Sequence, residues 1–120
     1  MAKVLVADDS DAIRQVLHDI LVIGKHELVG EAIDGNEAVE KFNELQPDLL
    51  LLDLAMPKKD GLTVVKEIIE FYPDAKIVLI TASDNQQIIK QCLDAGAIAS
   101  ISKPFDFDKA LKVISDTLSL

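Results

Sequence analysis

Two rhythms of apolar and polar residues take turns along this chain. Lys3 to Ala7 reads Lys-Val-Leu-Val-Ala, a short apolar run that stops at Asp8-Asp9 and predicts a strand. Ser10 or Asp11 can then cap a helix in which Ile13, Val16, Leu17 and Ile20 recur at helical spacing, with Gly24 at its end. Leu28 to Ala32 is a weaker strand, interrupted by Gly30, and belongs near a sheet edge. A short helix follows from Asn36 to Leu45, with Ala38, Val39 and Phe42 on one side and Pro47 beyond its end. Asp48 to Asp53 contains the consecutive leucines Leu49 to Leu52. Such a run without alternation suits a strand covered on both faces.

The next loop, Leu54 to Gly61, is polar and turn-rich, and the third helix is expected from Leu62 to Phe71. Pro73-Asp74 turns the chain into Lys76 to Thr81, whose Ile77-Val78-Leu79-Ile80 predicts a second wholly apolar strand. Ser83 or Asp84 can cap a helix that carries Ile88, Ile89, Cys92 and Leu93 toward the core and closes at Ala95-Gly96-Ala97. Ile98 to Ser102 is the last strand. Asp106 to Leu118 is the last helix, with Phe107, Ala110, Leu111, Ile114 and Leu118 as its buried stripe. Gln87, Lys90, Gln91 and Asp94 on the fourth helix, and Lys109, Lys112 and Val113 on the fifth, fall away from the stripes. Alternating strands and helices of these lengths require right-handed crossovers, so the expected class is α/β, a parallel sheet with helices on both faces. The pattern uses the whole length, which predicts a single domain over residues 1–120.

Composition narrows the function classes. The chain has 120 residues, 49% hydrophobic and 28% charged, which fits one folded core and argues against disorder. A formal charge of -9 and the absence of any Lys/Arg cluster disfavour nucleic acid and anionic membrane as partners. No apolar run approaches spanning length and no leader pattern precedes the first strand, so neither membrane insertion nor export is expected. Cys92 is alone, which rules out an internal disulfide and a thiolate metal cluster and is compatible with a reducing cytoplasm.

Chemistry gathers at the strand ends. Asp8 and Asp9 follow strand one, Asp53 ends strand three, Thr81 ends strand four and Lys103 follows strand five. In an open parallel sheet all of these lie at the carboxyl edge, where ligand sites form. Crowded carboxylates repel one another and need a proton or a cation. An all-oxygen donor set suits Mg²⁺ better than zinc, and neither His18 nor His26 falls at the rim. Asp53, at the end of the all-apolar strand, is the best candidate for attack on phosphorus, with Lys103 and the Thr81 hydroxyl positioned to hold the transferring oxygens. Any one of these residues alone reads as a turn, a helix cap or a solvated charge; it is their coincidence that points to a site.

Taken in order, Val-Leu-Val-Ala-Asp-Asp-Ser, Pro-Asp-Leu-Leu-Leu-Leu-Asp-Leu-Ala-Met-Pro, Asp-Gly-Leu, Ile-Thr-Ala and Ser-Lys-Pro-Phe resemble the receiver domains of response regulators, in their stand-alone CheY-like class. The resemblance covers essentially the whole chain. It implies a doubly wound, five-stranded parallel sheet of order 2-1-3-4-5, the flavodoxin-like arrangement, and phosphorylation of Asp53 by a histidine kinase or by small donors such as acetyl phosphate. It further implies direct Mg²⁺ binding by Asp9 and Asp53, Asp8 acting largely through water, the Ala55 carbonyl as a ligand, and a cis Lys103-Pro104 bond. The signal would pass as a phosphorylation-dependent protein contact through the helix 4–strand 5–helix 5 face of a cytoplasmic monomer, most naturally in chemotaxis. The protein would then be a stoichiometric switch and no enzyme. Two alternatives stay open: a Mg²⁺-dependent phosphohydrolase with Asp53 as nucleophile, and a phosphate sink that drains a kinase. A degenerate, phosphorylation-independent receiver is a further reading, which the complete set of acids and Lys103 supports poorly.

Three positions depart from the family pattern. The switch aromatic, three residues before the lysine, is Ser100. The positions that help place an attacking water in fast-decaying members are Ala55 and Ser83, which implies an intermediate to slow loss of the phosphoryl group.

Overall fold

The computed structural model describes residues 1–82 and 86–120. The elements run β1 (Lys3–Ala7), α1 (Asp11–Ile23), β2 (Glu27–Ala32), α2 (Gly35–Leu45), β3 (Leu49–Asp53), α3 (Gly61–Phe71), β4 (Ile77–Thr81), α4 (Gln86–Asp94), β5 (Ala99–Ser102) and α5 (Phe107–Leu118). The strands form one parallel sheet of five in the order β2-β1-β3-β4-β5. This is the doubly wound α/β arrangement expected, with the chain reversing direction between β1 and β3.

Short polar side chains start four of the helices. The Ser10 hydroxyl accepts from the Ile13 amide at 3.3 Å, Asp34 from Glu37 at 2.8 Å, Asp60 from Thr63 at 2.8 Å and Asp106 from Lys109 at 3.1 Å. Each satisfies an amide that has no partner within its helix. Asp34 and Asp60 thereby start α2 and α3 one residue earlier than the apolar spacing predicts. The expected caps of α4, Ser83 and Asp84, lie outside the described residues.

The apolar strands divide the core into two layers. Leu50, Leu52, Ile77 and Leu79 face α2, α3 and α4, where they meet Phe42, Val64, Val65, Ile68, Ile89 and Cys92. Leu49, Leu51, Val78 and Ile80 point the other way, onto Leu17, Ile20 and Leu21 of α1 and Ala110 and Ile114 of α5. Each buried Leu or Ile removed from water contributes roughly 1.5–3 kcal/mol before entropy. That burial makes β3 and β4 the most firmly determined strands of the sheet. β2 is an edge strand, as Gly30 suggests, and its pairing with β1 shifts register between Val4 and Leu5.

Three helix-face expectations are corrected. Phe107 is 41% exposed and Leu93 is 38% exposed, so neither belongs to a buried stripe. Phe107 opens α5 and Leu93 is the penultimate residue of α4, where few neighbours reach. Val113, expected to face away, packs against the α1–α5 layer beside Leu111 and Leu118, and Thr117 is buried, so the stripe of α5 is wider than expected and takes in 113 and 117. Among the described residues no helix is long and apolar enough to cross a membrane.

Candidate functional site

The site is built on strand ends whose positions the core already fixes. β1 and β3 are hydrogen-bonded neighbours, with Ala7 opposite Leu52. Asp8 and Asp9 therefore leave the sheet beside Asp53. The three carboxylates each offer an oxygen within 4.8 Å of the others. Asp8 and Asp53 are buried, whereas Asp9 is exposed at the mouth. From β5 the Lys103 ammonium reaches into the group, 3.2 Å from Asp8 Oδ2 and 3.6 Å from Asp53 Oδ1. The Lys103 amide donates to the Thr81 carbonyl at 2.7 Å, which ties the end of β5 to the end of β4. The Lys103-Pro104 bond is cis, as the resemblance implies.

Local hydrogen bonds orient the acids. Asp8 Oδ1 accepts from the Ser10 amide at 2.9 Å, and Asp53 Oδ1 accepts from the Ala55 amide at 3.3 Å. Burial holds the Asp53 carboxyl above the usual carboxylate value, and the Asp8 charge adds to this. The Ala55 amide and Lys103 pull it back, and Asp9 raises it again. Among the described residues, Lys103 is the cation in direct contact with these carboxylates.

A cleft of 360 Å³ opens over this group, lined by Asp9, Asp53, Leu54, Ala55, Thr81, Ala82, Ile88 and Lys103. Every predicted site residue is brought together here: Asp9, Asp53, Ala55, Thr81 and Lys103 line the cleft, and Asp8 completes the acidic set. A larger hollow of 500 Å³ lies elsewhere, beside Met1, Pro47, Asp48 and Lys76 at the amino-terminal ends of the strands. Among the described residues its acids form no metal-holding group, whereas Asp8, Asp9 and Asp53 do. The chemistry therefore assigns the smaller cleft. Nothing in the sequence marks Arg14, yet its Nη1 donates to the Asp8 carbonyl at 2.6 Å.

Comparison with known proteins agrees with the geometry. The family model described as the response regulator receiver domain matches residues 4–115. The chain belongs to the response regulator receiver family. This receiver is 39% identical to the chemotaxis protein CheY of Bacillus subtilis over 117 residues, covering 98% of each chain. It is 40% identical to the CheY of Halobacterium salinarum over 120 residues, covering 99% of each. Among solved structures, the receiver is similar to the CheX–CheY–BeF3–Mg²⁺ complex of Borrelia burgdorferi, with a TM-score of 0.92, 35% identity, and 96% and 87% of the two chains covered.

The acidic pocket of the receiver fits Mg²⁺ on its own chemistry. Its donors are oxygens only, at a spacing a single ion can bridge. Asp8 Oδ2 is buried and makes no aligned hydrogen bond, and the Lys103 ammonium lies 3.2 Å from it. One ammonium shared between two buried carboxylates leaves negative charge in the group that a divalent cation would balance. With its Asp cluster the receiver is equipped for Asp phosphorylation and Mg²⁺-assisted signalling, and acts stoichiometrically rather than by turnover, as CheY-type regulators do.

Proposed function

We propose that this receiver is a stand-alone, cytoplasmic, monomeric switch spanning residues 1–120. It takes a phosphoryl group from a histidine kinase onto Asp53 and passes the signal on by binding a target protein, in chemotaxis. The observation that carries the proposal is the convergence of Lys103 on Asp8 and Asp53 beneath a cleft that also admits Thr81. A Asp53 carboxylate oxygen attacks phosphorus, the bond to the donor's nitrogen or oxygen breaks, and the donor leaves with that electron pair. The Lys103 ammonium binds one phosphoryl oxygen and the Thr81 hydroxyl donates to another. Asp8, Asp9, Asp53 and the Ala55 carbonyl would hold the Mg²⁺. Bound there, the ion supplies charge neutralisation to the phosphoryl oxygens.

The similarity to CheY proteins supports chemotaxis as the pathway. The face made by α4, β5 and α5 is the expected contact surface, and Gln87, Lys90, Lys109 and Lys112 stand exposed on it. A phosphate sink is the second reading, and Ser100 favours it: half-buried on β5, it offers no large ring to report the phosphorylated state. The phosphohydrolase reading wants a second acid two residues after the nucleophile, where this chain has Ala55.

Incubation with acetyl phosphate and Mg²⁺, read by intact mass, is expected to add a single labile phosphoryl group to the native chain and none to Asp53→Asn. An adduct that persists in Asp53→Asn, or sustained turnover of a generic phosphate ester, would remove the switch reading. Capture of a target by the phosphorylated form alone separates the switch from the sink.

A further inference from the structure

The two acids that follow β1 are joined by one peptide, and that peptide is held from outside. Its carbonyl, the Asp8 oxygen, accepts from Arg14 Nη1 at 2.6 Å. The same guanidinium donates through Nε to Glu31 Oε1 at 3.0 Å and through Nη2 to Asp11 Oδ1. The arginine side chain is only 11% exposed. One planar group thus fastens the loop after β1 to β2 and to the first turn of α1. We infer that Arg14 is a positioning residue of the metal site: it fixes the plane of the Asp8–Asp9 peptide, and with it the directions in which both carboxylates leave the chain.

The inference rests on the reading of Asp8 and Asp9 as metal ligands. Its physical core is that a loop can turn about the torsions on either side of this peptide, and a turn about one that the other does not compensate changes the angle between the Asp8 and Asp9 side chains. Asp8 is also pinned through its Oδ1 by the Ser10 amide, but that bond leaves the Asp8 carbonyl unaddressed. Arg14 addresses it, and Glu31 and Asp11 in turn hold the guanidinium. A planar fork with donors in several directions can serve three acceptors at once; an ammonium on a flexible stem cannot hold that arrangement.

Charge and orientation act on Mg²⁺ affinity with opposite signs here, which lets substitution tell them apart. The positive guanidinium beside the acids repels a divalent cation, so removing its charge alone strengthens binding. Losing the fixed peptide plane weakens it. Arg14→Lys keeps the charge and loses the fork, so it isolates the positioning effect. Glu31→Gln leaves Arg14 in place and weakens one of its tethers.

Calorimetric titration of Mg²⁺ into the full chain, for the native protein, Arg14→Lys, Glu31→Gln and Asp9→Asn, tests this, together with urea unfolding of each in EDTA. Arg14→Lys is expected to weaken Mg²⁺ binding about tenfold, the lower end of the range for residues that orient metal ligands. Glu31→Gln is expected to weaken it by a smaller factor, with a metal-free urea midpoint close to native. A purely structural arginine would lower the metal-free midpoint and leave the Mg²⁺ dissociation constant of both variants within about twofold of native, and that result overturns the inference. Asp9→Asn is the separate control: if it binds Mg²⁺ as tightly as the native chain, the ligand reading itself falls.

Discussion

At the scale of single residues, the charged form of Asp53 is unfavourable, and the Lys103 ammonium offsets this only in part. Burial, then the Asp8 charge, push its carboxyl above the usual range. A carboxyl of this kind keeps its proton in the folded chain at a pH where the unfolded chain has released it. Its effect on stability is absent below the ordinary Asp value, grows as pH rises to the elevated folded value, and stays as a full penalty above it. In EDTA at neutral pH, Asp53→Asn should therefore have a higher urea midpoint than the native chain, and the difference should shrink on acidification through that window. Equal midpoints at neutral pH would mean that Lys103 already compensates the three acids. Ala55 bears on the reverse reaction: it lines the cleft with a methyl group where faster-decaying relatives of this class place an amide or acid. The phosphoryl group should last minutes or longer at room temperature, and Ala55→Gln should shorten its life; loss within seconds from the native chain contradicts this. The acids, Thr81 and Lys103 were legible because each ends or follows a strand, and strand order alone carries them to one edge. Arg14 was not, because its value lies in a main-chain carbonyl, that of Asp8, and in Glu31, which only the folded pairing of β1 with β2 brings near.

Between elements, the decisive contact is that of the loop after β3 with the start of α2. The Gly35 amide donates to the Pro57 carbonyl at 3.3 Å, and Lys58 Nζ lies 3.4 Å from Asp34 Oδ2. A Cβ on Gly35 would stand 2.3 Å from Lys59 Cβ and 2.4 Å from the Lys59 carbonyl oxygen, and a main-chain obstacle cannot swing aside as a side-chain tip can. Gly35→Ala should cost about 1–3 kcal/mol, as over-packing does. It should also weaken Mg²⁺ binding, since the displaced loop carries Ala55; calorimetry and urea unfolding read the two effects separately. The Asp34 carboxyl that caps α2 is drawn below its ordinary value chiefly by the Glu37 amide, against the cost of burial and with help from Lys58. Its support for α2 is thus fully present above the ordinary Asp range and lost as pH falls through the lowered value. Element boundaries of this sort are hard to read from apolar spacing, because Asp34 and Asp60 are polar residues whose side chains turn back onto the next turn of helix. The stripe of α5 was misread for a related reason. Phe107 is the largest apolar residue near its start, but it lies at the helix tip, while smaller Val113 and Thr117 sit over the sheet and are covered.

For the molecule as a whole, the site and the core are a single object. Leu49 and Leu51 face α1 and α5 while Leu50 and Leu52 face α2, α3 and α4, so the strand that ends in Asp53 belongs to both layers. The acidic group needs β1 beside β3, and Lys103 needs β5 carried in by β4. No fragment short of the assembled sheet presents these residues together, so a cation bound by them stabilises only the fully folded chain. Ligand linkage then fixes the size of the effect: free Mg²⁺ at about a hundred times its dissociation constant adds about 2.7 kcal/mol. For a domain of this length that is a rise in Tm of roughly 10 °C. The transition should keep its steepness in urea, because the surface exposed on unfolding is unchanged. Asp9→Asn should lose most of the rise. Calorimetric scans and urea curves with and without Mg²⁺ test the whole chain of dependence. A Tm that ignores Mg²⁺ would show that the acids never form a site, and a rise with a broadened, probe-dependent transition would show that the ion tightens only the loops and not the sheet.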